Sequence, residues 1–284
     1  MDGERGVVIT GASTGIGAAC ALHLDKVGFR VFAGVRKGTD GDALKRESTG
    51  RLTPLSIDVT DAAAIASAAA TVAAIVGKAG LSGLVNNAGI VVAGPLEFVP
   101  IDAVQRQLEV NVTGQLAVTQ AFLPLLRIAR GRIVNIGSVN GRVATPFVGL
   151  YSASKFAMES LTDVMRMELK PWGIEVSIVE AGSVATPIWP KSFAAFEEMV
   201  RCMPGRVREL YGGALPAFRI AAVREAKIAI PPETVAQVVE HALLSKKPKT
   251  RYVVGRNARL HVVLGRLLPD RLRDQLILRH LGLK

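Results

Sequence analysis

The sequence is poor in the residues that cross-link chains or hold metals. Two cysteines, Cys20 and Cys202, and four histidines stand among 284 residues. So few cysteines exclude a disulfide framework, and the scattered histidines offer no ligand spacing, so a reducing compartment and metal-free chemistry are expected. No uninterrupted apolar stretch reaches the roughly 18–20 residues of a membrane-spanning helix. The start, with Asp2 and Glu4 ahead of Gly6-Val7-Val8-Ile9, lacks the basic segment and long apolar run of a secretory signal. Together these absences predict a cytoplasmic protein.

What is present is a globular composition, 49% hydrophobic and 21% charged, which sets aside disordered and fibrous classes. The length allows a sizeable core and suits one domain, 1–284, with embellishments. The formal charge of +11 is unevenly placed, because residues 246–284 hold eleven Lys or Arg against two Asp. A basic stripe through the whole domain would suit nucleic acid; a charge confined to the tail excludes that partner. It points first to a solvated helix face, and second to a surface or partner contact.

Short β-branched runs at 6–10, 29–34, 52–57, 83–86, 131–136, 175–179 and 251–254 alternate with longer helical patterns. Seven strands with intervening helices predict an α/β fold, a Rossmann-like doubly wound seven-stranded parallel sheet with a C-terminal helical extension. Residues 61–76 read as a crossover helix opened by the acidic Asp61. The connection 183–232 carries Trp189, Phe193, Phe196, Tyr211 and Phe218 among prolines, glycines and charges. A connection this long predicts a substrate-binding loop or lid over an apolar pocket, with a surface insertion as the alternative.

The first strand runs into Thr10-Gly11-Ala12-Ser13-Thr14-Gly15-Ile16-Gly17 and then an apolar helix. Glycines let a strand turn sharply into a helix whose N-terminal N–H groups and partial positive charge can face a pyrophosphate. On a helix, Tyr151 and Lys155 fall four residues apart on one face, so an ammonium can lie near a phenol and lower its pKa. Ser138 ends the preceding strand, where ligands bind in open parallel sheets.

With these motifs in order over almost the whole chain, the sequence resembles the short-chain dehydrogenase/reductase family, whose glycine motif has this T-G-x-x-x-G-x-G form. The resemblance implies a catalytic set of Asn111, Ser138, Tyr151 and Lys155. Tyr151 would be general acid and base, Ser138 a donor to the carbonyl oxygen, and Lys155 also the holder of the nicotinamide ribose. Asn111 would fix a water linking the lysine to solvent. The cofactor contacts it implies are Thr10, Gly11, Ser13, Thr14, Gly15, Ile16 and Gly17 on the phosphates and Asp58 with Val59 at the adenine. Asn87, Ala88 and Gly89 would close the site, and Gly182, Val184 and Thr186 would meet the carboxamide. Relatives usually carry Pro-Gly where this chain has Ala181-Gly182, which removes a fixed φ from that loop.

The second strand ends in Arg36-Lys37 where an acidic residue would bond an NAD ribose, so NADP is favoured, with NAD as the alternative. Thr14 argues the other way, since many NADP-using relatives have a basic residue there. The expected activity is hydride transfer between the nicotinamide and a lipophilic secondary alcohol, ketone or aldehyde. A nucleotide-sensing scaffold of the same fold is a second reading. A C=C reductase, dehydratase or epimerase is a third, disfavoured by the standard spacing around Tyr151. In the basic amphipathic tail, 256–284, Leu260, Val263, Leu264, Leu267 and Leu268 follow helical spacing and Pro269-Asp270 can begin a second helix. The tail is expected to complete the pocket wall or a homo-oligomer contact (dimer or tetramer), with peripheral membrane contact as runner-up.

Overall fold

The computed structural model describes residues 5–202 and 205–283; Asp2 and Glu4 of the expected start, and the tail's last residue, Lys284, lie outside them. The described residues form one parallel sheet of seven strands: β1 (Gly6–Ile9), β2 (Arg30–Val35), β3 (Leu52–Ser56), β4 (Gly83–Asn86), β5 (Arg132–Ile136), β6 (Glu175–Ala181) and β7 (Arg251–Val254). The spatial order is β3-β2-β1-β4-β5-β6-β7. All seven expected strands are present, and Pro54, which cannot donate to a ladder, lies in the edge strand β3.

Helices α1 (Gly15–Lys26), α2 (Gly38–Glu47), α3 (Ala62–Val76), α4 (Ile101–Leu108), α5 (Gly114–Ala129) and α6 (Gly149–Glu168) cross over between the first six strands. Three more, α7 (Ile188–Cys202), α8 (Gly205–Tyr211) and α9 (Ala214–Lys227), follow β6. Then come α10 (Pro232–Leu244), α11 (Ala258–Leu267) and α12 (Asp270–Leu281). Both faces of the sheet are buried, which is why its strands read as near-continuous apolar runs. Along β1, Val7 and Ile9 join one core with α1 and α10, whereas Val8 joins the opposite core with α3 and α5. That alternation is the pleat acting on a strand buried from both sides.

The segment expected as a lid loop is instead largely helical in its described residues, as α7, α8 and α9. Its prolines and glycines punctuate helices rather than replace them: Pro190 sits in the first turn of α7, where the missing N–H costs little, and Gly213 precedes α9. One helix bears on the membrane expectation, although Ser67, Thr71 and Lys78 interrupt it. Ala62–Ala79 is long and apolar enough, at a mean hydropathy of 1.6, to pass as a membrane span on composition. It forms α3 and a short 3-10 turn, and Ile65, Ala68 and Val72 dock α3 on the sheet while small alanines face outward.

The tail folds as α11 and α12. Gly265 of α11 sits against Val143 and the Arg142 carbonyl, just beyond the 3-10 turn that follows β5. In α12, His280 lies 3.4 Å from Glu225 of α9. The tail therefore touches both the segment after Ser138 and the last helix of the 183–232 insertion.

Candidate active site

The strand order reverses between β1 and β4, and the crevice at their carboxyl ends is where open α/β sheets take ligands. The loop from β1 into α1 lies at that point. Gly11 has φ +62°, a left-handed conformation that glycine adopts without strain. At Gly17 a Cβ would lie 2.2 Å from the Gly11 carbonyl oxygen, so the first turn of α1 closes directly over the loop. The Thr14 side chain makes no cap at the start of α1, whereas Asp61 caps α3 by accepting from Ala63 and Ala64 at 2.8 and 3.1 Å. An uncapped helix start facing a glycine turn fits a pyrophosphate.

Two neighbours hold this cradle in shape. Asn87 donates from Nδ2 to the carbonyls of Thr10 and Gly11, both at 3.0 Å. The Thr10 hydroxyl accepts from the backbone N–H groups of Asn87 and Ala88 at 3.0 and 3.1 Å. Ser13, Gly15 and Ile16 line the same turn, and the Thr186 side chain reaches within 3.0 Å of where a Gly15 Cβ would stand. The structure thereby joins two of the expected cofactor loops.

At the adenine end, one Asp58 carboxylate oxygen accepts from both the N–H and the hydroxyl of Thr60. Those bonds, with the nearby Arg36 and Arg106 cations, hold its carboxyl below the usual range. Arg36 is exposed at the end of β2, near enough to act on Asp58, and Val59 is buried beside Gly114.

The loop after β4 is held by a ladder that extends beyond Asn111. Gln107 bonds Val92 and Ile90, Asn111 bonds the N–H and the carbonyl of Ile90, and Gln115 donates to the Ala88 carbonyl, all at 2.7–3.0 Å. Spaced by four, the three amides fall on one helical face, and Asn111 sits in a π-helical turn, Glu109–Thr113, of the kind that recurs at functional sites. Asn111 also donates to Ser154 at 3.1 Å, so it reaches α6 one residue before Lys155. A Cβ at Gly89 would touch the Asn111 side chain at 3.4 Å.

Tyr151 and Lys155 share a face of α6, with the ammonium 5.7 Å from the phenol ring centre. Lys155 Nζ donates to the Ile136 carbonyl at the end of β5, at 2.8 Å. Ser138 lies two residues further on, its hydroxyl bonded to Tyr151 and accepting from the Asn140 N–H. The juxtaposition expected of Ser138, Tyr151 and Lys155 is present. The expected direction of the Tyr151 pKa is not: desolvation raises it, and only the Ser138 hydroxyl pulls it down. Desolvation also lowers Lys155 to about 8, with Glu159 opposing. Burial outweighs proximity at both groups.

The loop after β6 departs from expectation at Gly182. Its N–H is spent on the Val254 carbonyl at 2.8 Å, and its α-carbon abuts Gly255 and Ala258, so it faces the tail rather than offering an N–H to a carboxamide. Val184 is buried and pairs with Ile230, while its carbonyl accepts from Trp189 Nε1. Thr186, beside Gly15, remains the polar side chain of this loop at the cradle.

A third core joins the insertion to the start of α6, where Val148 packs against it. Phe196, Val207 and Leu215 of α7, α8 and α9 pack with Ala93, and Phe98, Phe147, Tyr211 and Phe218 close around them. Phe147, four residues before Tyr151, has φ +64°, an unusual conformation for a bulky residue and one fixed by the Gly94 N–H on its carbonyl.

The family profile described as short chain dehydrogenase matches residues 5–196. Retinol dehydrogenase 5 of Mus musculus is 37% identical over 279 residues, covering 95% of this chain and 87% of that protein. The 17-beta-hydroxysteroid dehydrogenase type 6 of Bos taurus is 36% identical over 281 residues, covering 97% and 88%. Among solved structures, a short chain dehydrogenase from Burkholderia cenocepacia J2315 in complex with NADP superposes with a TM-score of 0.72 at 27% identity, over 96% of this chain and 97% of that one. With a dinucleotide cradle at the switch point of a seven-stranded parallel sheet and relatives matching nearly end to end, the chain belongs to the short-chain dehydrogenase/reductase family of oxidoreductases.

Proposed function

We propose that this enzyme transfers a hydride between NADP(H) and a lipophilic secondary alcohol or ketone, or an aldehyde, with Tyr151 as the proton-transferring group. The observation that carries the reading is the convergence of Ser138, Tyr151 and Lys155 at the carboxyl end of β5. When bound, the dinucleotide supplies or accepts the hydride at its nicotinamide ring. The chain's own residues position and move protons. Ser138 donates to the substrate oxygen, Tyr151 gives that oxygen its proton in reduction and removes it in oxidation, and Lys155 holds the ribose. Thr10, Gly11, Ser13, Thr14, Gly15, Ile16 and Gly17 would hold the phosphates, Asp58 and Val59 the adenine, and Thr186 the carboxamide. Asn87, Ala88 and Gly89 close the wall, and Asn111 keeps that wall fixed to α6.

The insertion acts as a lid, and its aromatic core supports a lipophilic substrate, as do relatives named for retinol and for 17-beta-hydroxysteroids. A panel of retinol, a 17-beta-hydroxysteroid and a short polar alcohol, followed by the absorbance of the reduced nicotinamide, is expected to give turnover on the apolar members. Preference for the short polar alcohol would overturn the substrate class. The presence of Asn111, Ser138, Tyr151 and Lys155 together, and relatives named as dehydrogenases, support this reading over a nucleotide-sensing scaffold.

Arg36 favours NADP(H), as does the NADP bound in the Burkholderia structure. Arg36→Asp exchanges attraction for repulsion at a 2′-phosphate and is expected to weaken NADP(H) by on the order of tenfold or more while sparing NAD(H). Calorimetric titration of both dinucleotides checks this, and equal losses would remove Arg36 from cofactor choice. In the tail, Leu260, Val263 and Leu267 are exposed along one stripe of α11, which suits contact with a second copy of the chain. Light scattering of the full chain against a form ending at Gly255 tests that assembly; salt-sensitive flotation with anionic liposomes would reassign the stripe to a membrane surface.

A further inference from the structure

Behind the catalytic lysine lies a cluster of buried charge that hydride transfer itself does not use. Lys155 is 4% exposed, and among the described residues its ammonium donates to a neutral carbonyl. An ammonium in such a place loses its proton readily unless an anion is near. One helical turn further along α6 is Glu159, whose side chain is 7% exposed. Its Oε2 lies 3.1 Å from Arg251 Nε on β7 and 3.8 Å from Arg142 Nη1. Glu180 of β6, more deeply buried, shares both cations, its Oε1 being 3.3 Å from Arg251 Nε and 3.7 Å from Arg142 Nε. Arg251 also gives Nη2 to Asp163 at 2.6 Å, and Asp163 is bound in turn by Arg166.

We propose that Glu159 is a positioning residue of the catalytic site, its carboxylate fixed by Arg251 and Arg142 as the counter-charge that keeps the buried Lys155 ammonium protonated. This rests on the reading that Lys155 assists Tyr151. The cluster is poorly built for stability alone, because among the described residues no hydrogen-bond donor serves Oε1 of Glu159 or either carboxylate oxygen of Glu180, which the arginines meet only as ion pairs. Unsatisfied buried acceptors cost stability. Its placement is better explained by what it does to the lysine. Burial lowers Lys155, Glu159 is the group that opposes it, and the balance of the two leaves the lysine at about 8. Glu159 is itself pushed up to about 7 by burial and by Glu180, against the pull of Arg251 and Arg142. The charges that act on Glu159 are therefore Lys155 on α6, Glu180 on β6, Arg251 on β7 and Arg142 after the 3-10 turn, with Asp163 and Arg166 of α6 joined to them through Arg251.

The same turn ties the cluster to the substrate oxygen. A Cβ on Gly141 would lie 2.9 Å from the Lys155 carbonyl oxygen and 3.2 Å from Glu159 Cγ. The turn that begins at Ser138 is thus seated on the stretch of α6 between lysine and glutamate, and its next residue, Arg142, binds the glutamate.

A carbon-13 NMR titration of lysine Cε in the full-length protein tests this without a substrate, the Lys155 resonance being assigned by its loss in Lys155→Ala. Glu159→Gln is expected to lower the Lys155 midpoint by about half a unit or more, and Glu159→Asp to restore most of it. Glu180→Gln removes a group that discourages Glu159 from ionising, so the Lys155 midpoint there should hold or rise. An unchanged midpoint in folded Glu159→Gln overturns the proposal. If that variant does not fold, a midpoint lowered by Glu180→Gln does so instead. In carbonyl reduction, the alkaline limb of the kcat profile should move down with the lysine, and a limb that stays put while the lysine shifts would deny Glu159 its part in catalysis. Loss of turnover in Tyr151→Phe judges the catalytic reading separately.

Discussion

Tyr151→Phe is expected to lower turnover by about 100-fold or more while leaving dinucleotide affinity nearly unchanged. The substitution removes only a hydroxyl. The ring keeps its place on α6, Lys155 keeps its bond to Ile136, and Ser138 keeps the Asn140 N–H as a partner. On the proposed mechanism, what is lost is the proton that passes to or from the substrate oxygen as the hydride moves. Single-turnover kinetics and calorimetric cofactor titration on the same preparation separate the two effects. A folded variant with near-normal turnover would overturn the catalytic assignment. The pH dependence follows from the same hydroxyl. Desolvation holds it above the ordinary phenol value, so its neutral form persists into alkaline solution. Alcohol oxidation, which needs the phenolate, should therefore rise with pH through that range. Carbonyl reduction, which needs the phenol, should fall.

The sheet was legible because each strand is a local signal. Runs such as Val7-Val8-Ile9 are apolar on both faces, and nothing further along the chain is needed to identify them. The glycine turn and the Tyr151-Lys155 pair were legible for a related reason, since strand, turn and helix lie within about a dozen residues of each other. The helices of 183–232 were masked by their content: aromatics, prolines and charges intermixed read as a loop until Phe196, Val207 and Leu215 are seen to share a core. Gly182 looked like a cofactor contact because the motif around it is familiar, yet its N–H is taken by β7, a strand some seventy residues later.

The electrostatics of the site were the least legible. Helical spacing brings Lys155 near Tyr151, but a pKa depends on everything that excludes water from both groups. Glu159 stands four residues after Lys155 and could have been noticed on spacing alone. Its partners could not: Glu180, Arg251 and Arg142 come from two other strands and a turn, and only the packed fold gathers them. The amide ladder is an intermediate case. Gln107, Asn111 and Gln115 repeat every four residues in the sequence, a signal that picks out one helical face but not the loop it grips.

Gly17→Ala should be the most damaging single methyl in the cofactor half. A Cβ there would fall 2.2 Å from the Gly11 carbonyl oxygen, 2.5 Å from Asn87 Nδ2 and 2.9 Å from the Ala12 α-carbon. Two of these are backbone atoms, and the third belongs to the side chain that holds the Thr10 and Gly11 carbonyls. None can yield without opening the turn. Overpacking of this kind costs about 1–3 kcal/mol, which for a chain of this size lowers Tm by roughly 2–12 °C. The larger effect is on binding. Moving α1 away from Gly11 displaces the uncapped N–H groups that would face the pyrophosphate, and dinucleotide affinity should fall by on the order of tenfold or more. Gly213→Ala is the control, because nothing among the described residues approaches that position within 4 Å and its φ of −81° suits alanine. Calorimetric titration and thermal melts of the two variants beside the parent decide the matter. Equal cofactor affinity in Gly17→Ala and Gly213→Ala would show that the cradle does not depend on the close approach of α1 to Gly11.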